Sequence, residues 1–328
     1  MPPASSDHTI GMPAASSERA TKVPAATSER ATEVPARSSD QPTQTPPPST
    51  PPSMHEPPRW LAAPVVLFFA LFLLYPALYA IKLAVTDPLT GRVPVPDNFV
   101  ALGSDALFWR ALAGNVVLPL ASVALELIAG LTLALFLHER FPGRRALRAI
   151  VIIPLALPEV VFLTMMRSIF APRGYANAAL AAIGLGQIQW LAPGSIMTMA
   201  TVVLVDAWHV TPIVFLMLLA GLASMPEQIH EAALLDGARG WSRFRHITLP
   251  WLRPVILSAV LLRGLDALRM FATPLVLAGV EGAPVLSTYA YHQWSDYGNE
   301  PAAAAASMLL AMMSVALTIP LLRRRMVA

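Results

Sequence analysis

The chain has 328 residues, 55% of them apolar and only 13% charged, with a mean hydropathy of +0.56. A soluble domain carries about 25% charge, so the composition excludes an ordinary soluble globular protein and points to several apolar helices in a membrane. The formal net charge of +3 is small, and the absence of cysteine removes disulfides, thiol nucleophiles, Fe–S clusters and Cys-based zinc sites together.

Residues 1–56 form a tail rich in Pro, Ser, Thr and Ala, with an imperfect repeat of SERATKVPA (Ser17–Ala25) and SERATEVPA (Ser28–Ala36). Large apolar side chains are too few there to offset the entropy of ordering, so a disordered cytoplasmic arm is expected. It is either a dispensable extension or a regulatory arm. It lacks the charged start, apolar stretch and cleavage site of a signal peptide.

From residue 57 to 328 the pattern is that of an all-α polytopic membrane domain. Apolar runs long enough to span occur at about Leu61–Val85, Asn115–Leu137, Ala149–Phe170, Ser195–Leu222, Val255–Val280 and Ala302–Leu322. Six spans of about 20 residues need about 120 residues, which the length allows. Pro154 and Pro158 fall inside the third run and are tolerated if neighbours satisfy the freed carbonyls. Loops on one side hold twelve Arg, among them Arg140, Arg144, Arg145 and Arg148, and Arg239, Arg243, Arg245 and Arg253. The other side holds at most five Lys or Arg, so both termini are expected in the cytoplasm.

The cytoplasmic-side segment between the fourth and fifth runs, 224–253, reads as a helical hairpin. Ser224 is placed to cap a helix, with Pro226 in its first turn and Glu227 completing a capping box. Gly237 offers a left-handed exit. Trp241, Phe244 and Ile247 follow at spacing three in a second short segment, which Leu249-Pro250 is expected to end.

Within this loop Glu231-Ala232-Ala233, three residues, Gly237, nine residues, Ile247-x-Leu249-Pro250 resembles the EAA loop of ABC-importer permeases of the binding-protein-dependent class. The extended form EAALLDGARGWSRFRHITLPWLRP is similar to the carbohydrate-uptake branch, the maltose-, glycerol-phosphate- and trehalose-type permeases. Weaker similarity covers about residues 60–328. The resemblance implies a six-helix permease with a cytoplasmic coupling helix, in a bacterial cytoplasmic (inner) membrane. It would pair with a second six-helix permease, a dimer of ABC ATPases below and an extracytoplasmic solute-binding protein above. Glu231, Ala232, Ala233, Asp236, Gly237, Trp241, Phe244, Ile247, Leu249 and Pro250 would form the surface that couples to the ATPase. Glu231 would anchor it by a charged contact. The usual Gly-Gly-Pro-rich stretch after the fifth span is loosened here to Leu277-Ala-Gly-Val-Glu-Gly-Ala-Pro284.

Charges inside spans are costly and mark function by default. Glu126, Glu159, Asp206, Arg263, Asp266 and Arg269 are the candidate translocation path. The last three recur at i, i+3 and i+6, roughly on one helical face. Either they line a water-filled path that binds sugar hydroxyls, or they pair internally to hold or gate the helices. Glu126 and Glu159 could instead meet an Arg of a partner permease. Trp190, Tyr291 and Trp294 are placed to stack on sugars or to anchor at the interface.

The expected function is therefore sugar translocation by alternating access, with ATP and Mg held by partner ATPases and no cofactor on this chain. Neither Lys22 nor Lys82, the only lysines, follows a glycine, so no phosphate-binding GxxxxGK[ST] loop is present. No nucleophile–base constellation, metal-ligand spacing or nucleic-acid patch stands out, so no catalytic role is expected. A permease for a polyamine, peptide or phosphate ester, and a stand-alone secondary carrier, are the alternatives. A secondary carrier would call for inverted repeats, which are not found.

Overall fold

The computed structural model describes residues 63–87, 90–235 and 237–327. The tail expected at 1–56 and Asp236 lie outside the described residues. The described residues form helices joined by turns and loops, without strands. Five helices are long and apolar enough to cross a membrane, and a sixth candidate is a bent pair.

Helix α1 (Ala63–Ala84) is apolar all round, and its large side chains from Val65 to Leu78 are exposed. Only lipid or another apolar helix suits such a surface. A π-turn at Ala70–Leu74 sends the Tyr75 N–H back to the Ala70 carbonyl. Pro76 follows at once. It has no N–H, and its ring would strike the preceding turn, so widening that turn relieves both problems. The Asn98 amide, buried in α2 (Asp97–Ser104), donates to the Ala84 and Thr86 carbonyls at 2.9 and 2.8 Å and closes the end of α1.

Helix α3 (Ala106–His138) has 33 residues, about 50 Å at 1.5 Å per residue, and outruns the hydrocarbon core of about 30 Å. Asp105 caps it by accepting from the Leu107 N–H at 2.8 Å. At the far end Arg148 donates to the Leu137 carbonyl at 2.6 Å and Arg144 to the His138 carbonyl at 3.4 Å, cations on the negative end of the helix.

The third expected span is not one helix. It divides into α4 (Arg144–Ala156) and α5 (Glu159–Ile169), bent by 98°. Leu157 is extended because the residue before a proline is driven out of the helical region, and Pro158 then starts a new axis. Pro154 stays inside α4, so one proline is tolerated and the other breaks the run. Short α6 (Tyr175–Ala182) follows, its Asn177 holding the next loop through the Ile188 backbone and the Trp190 indole N–H.

Helix α7 (Ile196–Ala223) packs lengthwise on α3. Gly130 lets the two approach: a Cβ there would lie 2.9 Å from Val214 Cγ1 and 3.1 Å from the Phe215 nitrogen. Small residues at helix crossings serve this purpose in membranes. After α8 (Glu227–Leu235), α9 runs from Gly240 to Leu268 and crosses as a single 29-residue element. The helix that carries the fifth span therefore starts fifteen residues earlier than Val255 and ends twelve before Val280. Residues beyond Leu268 turn into a separate helix, α10 (Ala272–Gly282), kinked at Gly279, followed by α11 (Leu286–Ser295) and the last span, α12 (Glu300–Val327).

Candidate functional site

Asn115, fully buried in α3, fixes the geometry of the broken segment after α9. Its amide donates to the Leu268 carbonyl at 3.0 Å, and its Oδ1 accepts from the Leu286 N–H at 3.1 Å. One side chain thus satisfies the orphan carbonyl where α9 ends and the orphan N–H where α11 starts. Ser287 adds a bond from its hydroxyl to the Met270 carbonyl at 2.5 Å. Close packing reinforces the join, since a Cβ on Gly114 would sit 2.1 Å from the Pro284 oxygen. Sequence reading had no signal for this role beyond a polar residue at the start of an apolar run.

The turn so formed borders an open cavity of about 400 Å³ lined by Glu159, Asp206, His209, Arg263, Asp266, Arg269, Phe271 and Thr273, with apolar residues between them. Five of the six residues expected on a translocation path meet there. Glu126 does not. It lies behind the wall, fully buried, and takes Arg263 Nε on Oε2 and Nη2 on Oε1, both at 2.8 Å. An Arg of a partner permease is therefore not what Glu126 meets: its partner is in its own chain.

Arg263 also bonds Asp266 through Nη1, and Asp206 Oδ2 lies 3.6 Å from Nη2. Asp206 is 6% exposed; its Oδ1 accepts from the Thr273 hydroxyl at 3.3 Å, while Oδ2 has no hydrogen-bond partner. His209 stacks on Phe162 at 4.6 Å and leaves Nε2 without a partner. The single face expected for Arg263, Asp266 and Arg269 holds only in part. Arg263 is buried, Asp266 is exposed, and Arg269 caps the end of α9 with Nε on the Leu265 carbonyl at 3.3 Å. Chemically the cavity offers donors and acceptors at defined positions in an apolar bundle, which suits a hydroxylated solute. Phe271 at its rim begins an aromatic row with Tyr291 and Trp294, at centroid spacings of 5.5 and 6.1 Å. Trp190, tied to Asn177, is not in that row.

On the far side of α7, Ser224 closes that helix instead of opening α8: its hydroxyl donates to the Gly221 carbonyl at 2.9 Å. The expected capping box is thus replaced by a C-terminal cap. At the end of α8, Gly237 adopts φ +74°, and the Ala238 N–H returns to the Ala233 carbonyl at 2.9 Å, the six-to-one bond of a Schellman turn. Glu231 and Ala232 are exposed and Ala233 is buried, so the helix turns one face inward and leaves the other bare. Leu235 and Trp241 are 89% and 70% exposed, with the Trp241 and Phe244 rings 5.1 Å apart. Leu249-Pro250 does not end this segment. A π-turn at Phe244–Thr248 carries it straight into the fifth span, with the Leu249 N–H on the Phe244 carbonyl just before Pro250, the same device as in α1.

Long apolar helices around an open polar cavity, with an exposed helical elbow between the fourth and fifth spans, define a membrane permease. The chain belongs to the family described as the binding-protein-dependent transport system inner membrane component, which matches residues 126–327. It is similar to the trehalose/maltose transport system permease protein MalF of Thermococcus litoralis, 39% identical over 209 residues, 61% of this chain and 70% of that protein. It is also similar to the trehalose transport system permease protein SugA of Mycobacterium tuberculosis, 33% identical over 234 residues, 67% of this chain and 72% of that protein. Among solved structures, a bacterial ABC transporter involved in the import of the acidic polysaccharide alginate superposes with a TM-score of 0.72 at 25% identity, over 81% of this chain and 95% of that one. The MetNI methionine ABC transporter shares the fold at a TM-score of 0.51 and 19% identity, over 69% of this chain and 99% of that one.

Proposed function

We propose that this permease moves a di- or oligosaccharide, or a related hydroxylated solute, handed to it by an extracytoplasmic binding protein. Movement would be by alternating access, driven by partner ATPase subunits that hold the ATP and Mg; this chain would carry neither. It would work beside a second six-helix permease in a bacterial cytoplasmic membrane, with both termini inside. The observation that carries the sugar assignment is the cavity in which Asp206, His209, Arg263 and Asp266 present polar atoms in an otherwise apolar bundle. The names of the relatives, trehalose, maltose and lactose permeases among them, support the same reading.

Glu159, Asp206, Arg263, Asp266 and Arg269 would touch the passing solute, with Glu126 acting through Arg263. Glu231, Ala232, Leu235 and Trp241 would dock on the ATPase. A bare face beside a left-handed glycine turn suits a rigid elbow that transmits movement from below.

The test is purification of the chain from its native membrane in mild detergent. Recovery of an ABC ATPase and a second permease is expected, with ATP-dependent uptake of labelled disaccharide after reconstitution into liposomes. Recovery of the chain alone, moving solute without ATP, would overturn the reading in favour of a secondary carrier.

A further inference from the structure

Three carboxylates line the open cavity, Glu159 on α5, Asp206 on α7 and Asp266 on α9, with two guanidiniums, Arg263 and Arg269. Glu126, behind the wall, takes two N–H bonds from Arg263. Asp206 and Asp266 share that guanidinium, whose single positive charge Glu126 already balances. Among the described residues, Glu159 and Arg269 belong to no ion pair. With His209 neutral, four carboxylates thus stand against two guanidiniums. A proton on Asp206 would still leave three against two. The Asp266 side chain is 68% exposed and Glu159 is exposed, so their charges act on whatever enters. Asp206, with its side chain 9% exposed, keeps Oδ2 without a hydrogen-bond partner at the wall.

A wall of one net sign sorts solutes by charge, because like charges repel and an opposite charge is drawn in. We propose that this cavity ranks saccharides by charge: one bearing an amine binds above its neutral analogue, and the neutral one above its acid. Glu159 and Asp266 set the ranking, and Arg269 opposes it. An ammonium or a hydroxyl can donate to the carboxylate oxygens of the wall, whereas an ionised acid has only acceptors to offer them. The inference rests on the sugar reading above and adds the charge of its solute.

The test measures binding to the whole complex, with its partner permease and ATPases and without the binding protein, whose own preference would mask that of the cavity. Three labelled disaccharides of one skeleton are compared: neutral, with a hydroxyl replaced by an amine, and with a primary alcohol oxidised to a carboxylate. At about 0.05 M salt each step of the ranking is expected to be about threefold or more. At about 1 M, where electrostatic reach falls to about 3 Å, the steps should nearly vanish. Glu159→Gln is expected to narrow the gap between neutral and acid, and Arg269→Gln to widen it. If a variant fails to assemble, the salt dependence of the wild-type complex decides alone. Equal affinities for the three, an acid bound most tightly, or a gap that ignores salt would overturn the ranking and leave the sugar reading standing. Binding of none of the three would overturn the sugar reading itself.

Discussion

Across 137 positions of chain, Arg263 and Glu126 meet in a bidentate pair, two N–H···O bonds of 2.8 Å between side chains that are 4% and 0% exposed. Breaking such a pair from one side strands a charge in the bundle, at about 3–5 kcal/mol, whereas replacing both partners by apolar groups of like volume is often neutral. Glu126→Ala is therefore expected to lower the thermal midpoint of the purified chain strongly. Because Arg263 also faces buried Asp206, the triple variant Glu126→Leu, Asp206→Asn and Arg263→Met, which removes both buried carboxylates with their cation, should recover most of that loss but not transport. Calorimetric or fluorescence melts of wild type, single and triple variants check this; a triple variant less stable than the single would contradict it.

Asn115 joins two helix ends that lie 18 residues apart in the chain. Asn115→Ala leaves the Leu268 carbonyl and the Leu286 N–H unpaired, and a buried unpaired group costs about 1–3 kcal/mol. The expected outcome is faster amide hydrogen exchange over residues 269–286, with α3 and α7 little changed. Uniform loss of protection across the bundle would show that Asn115 holds the whole fold and not this turn.

Tyr289 donates to Asp105 at 2.6 Å and accepts from Gln293 at 2.9 Å, near the start of α3 and outside the spans. Burial, then the Asp105 carboxylate beside it, pushes the phenol well above its ordinary value. A group whose folded pKa is raised contributes stability that is complete below its unfolded value of about 10 and fades as pH climbs beyond it. Wild type should thus lose stability above about pH 10 more steeply than Tyr289→Phe, and the two should run parallel at lower pH. Melts from pH 7 to 11 decide it.

Gly237 holds a left-handed turn at the end of α8, and its φ of +74° disfavours any side chain. Gly237→Val is expected to leave membrane insertion and the cavity intact while reducing ATP-driven uptake. Glu231→Lys, which reverses an exposed charge, should lower uptake without moving the melting midpoint. Uptake at the wild-type level in both variants would remove the elbow from the coupling pathway.

Much of this protein is legible locally. Hydropathy marks every spanning region because a bilayer demands a continuous apolar run, and Arg bias marks one side of it. The elbow is legible because Glu231, Ala232, Ala233, Gly237 and Pro250 sit within twenty residues of one another, and Gly237 turns as a glycine there is expected to. Helix ends are less so: Ser224 reads as an N-cap from its neighbours, yet the helix before it claims its hydroxyl.

What the sequence alone determined is thus the membrane class, the family and the position of the elbow, all carried by residues close in the chain. The tertiary structure alone decided that the third run breaks at Leu157-Pro158, that the helix carrying the fifth span begins at Gly240, and that Glu126 belongs to Arg263 and not to a partner subunit. Hydropathy sums over a window and registers neither a bend nor a pairing between distant helices. Those depend on which carbonyls neighbours satisfy and which charges the packing brings within 3 Å, and both are settled only when α3, α7 and α9 lie side by side.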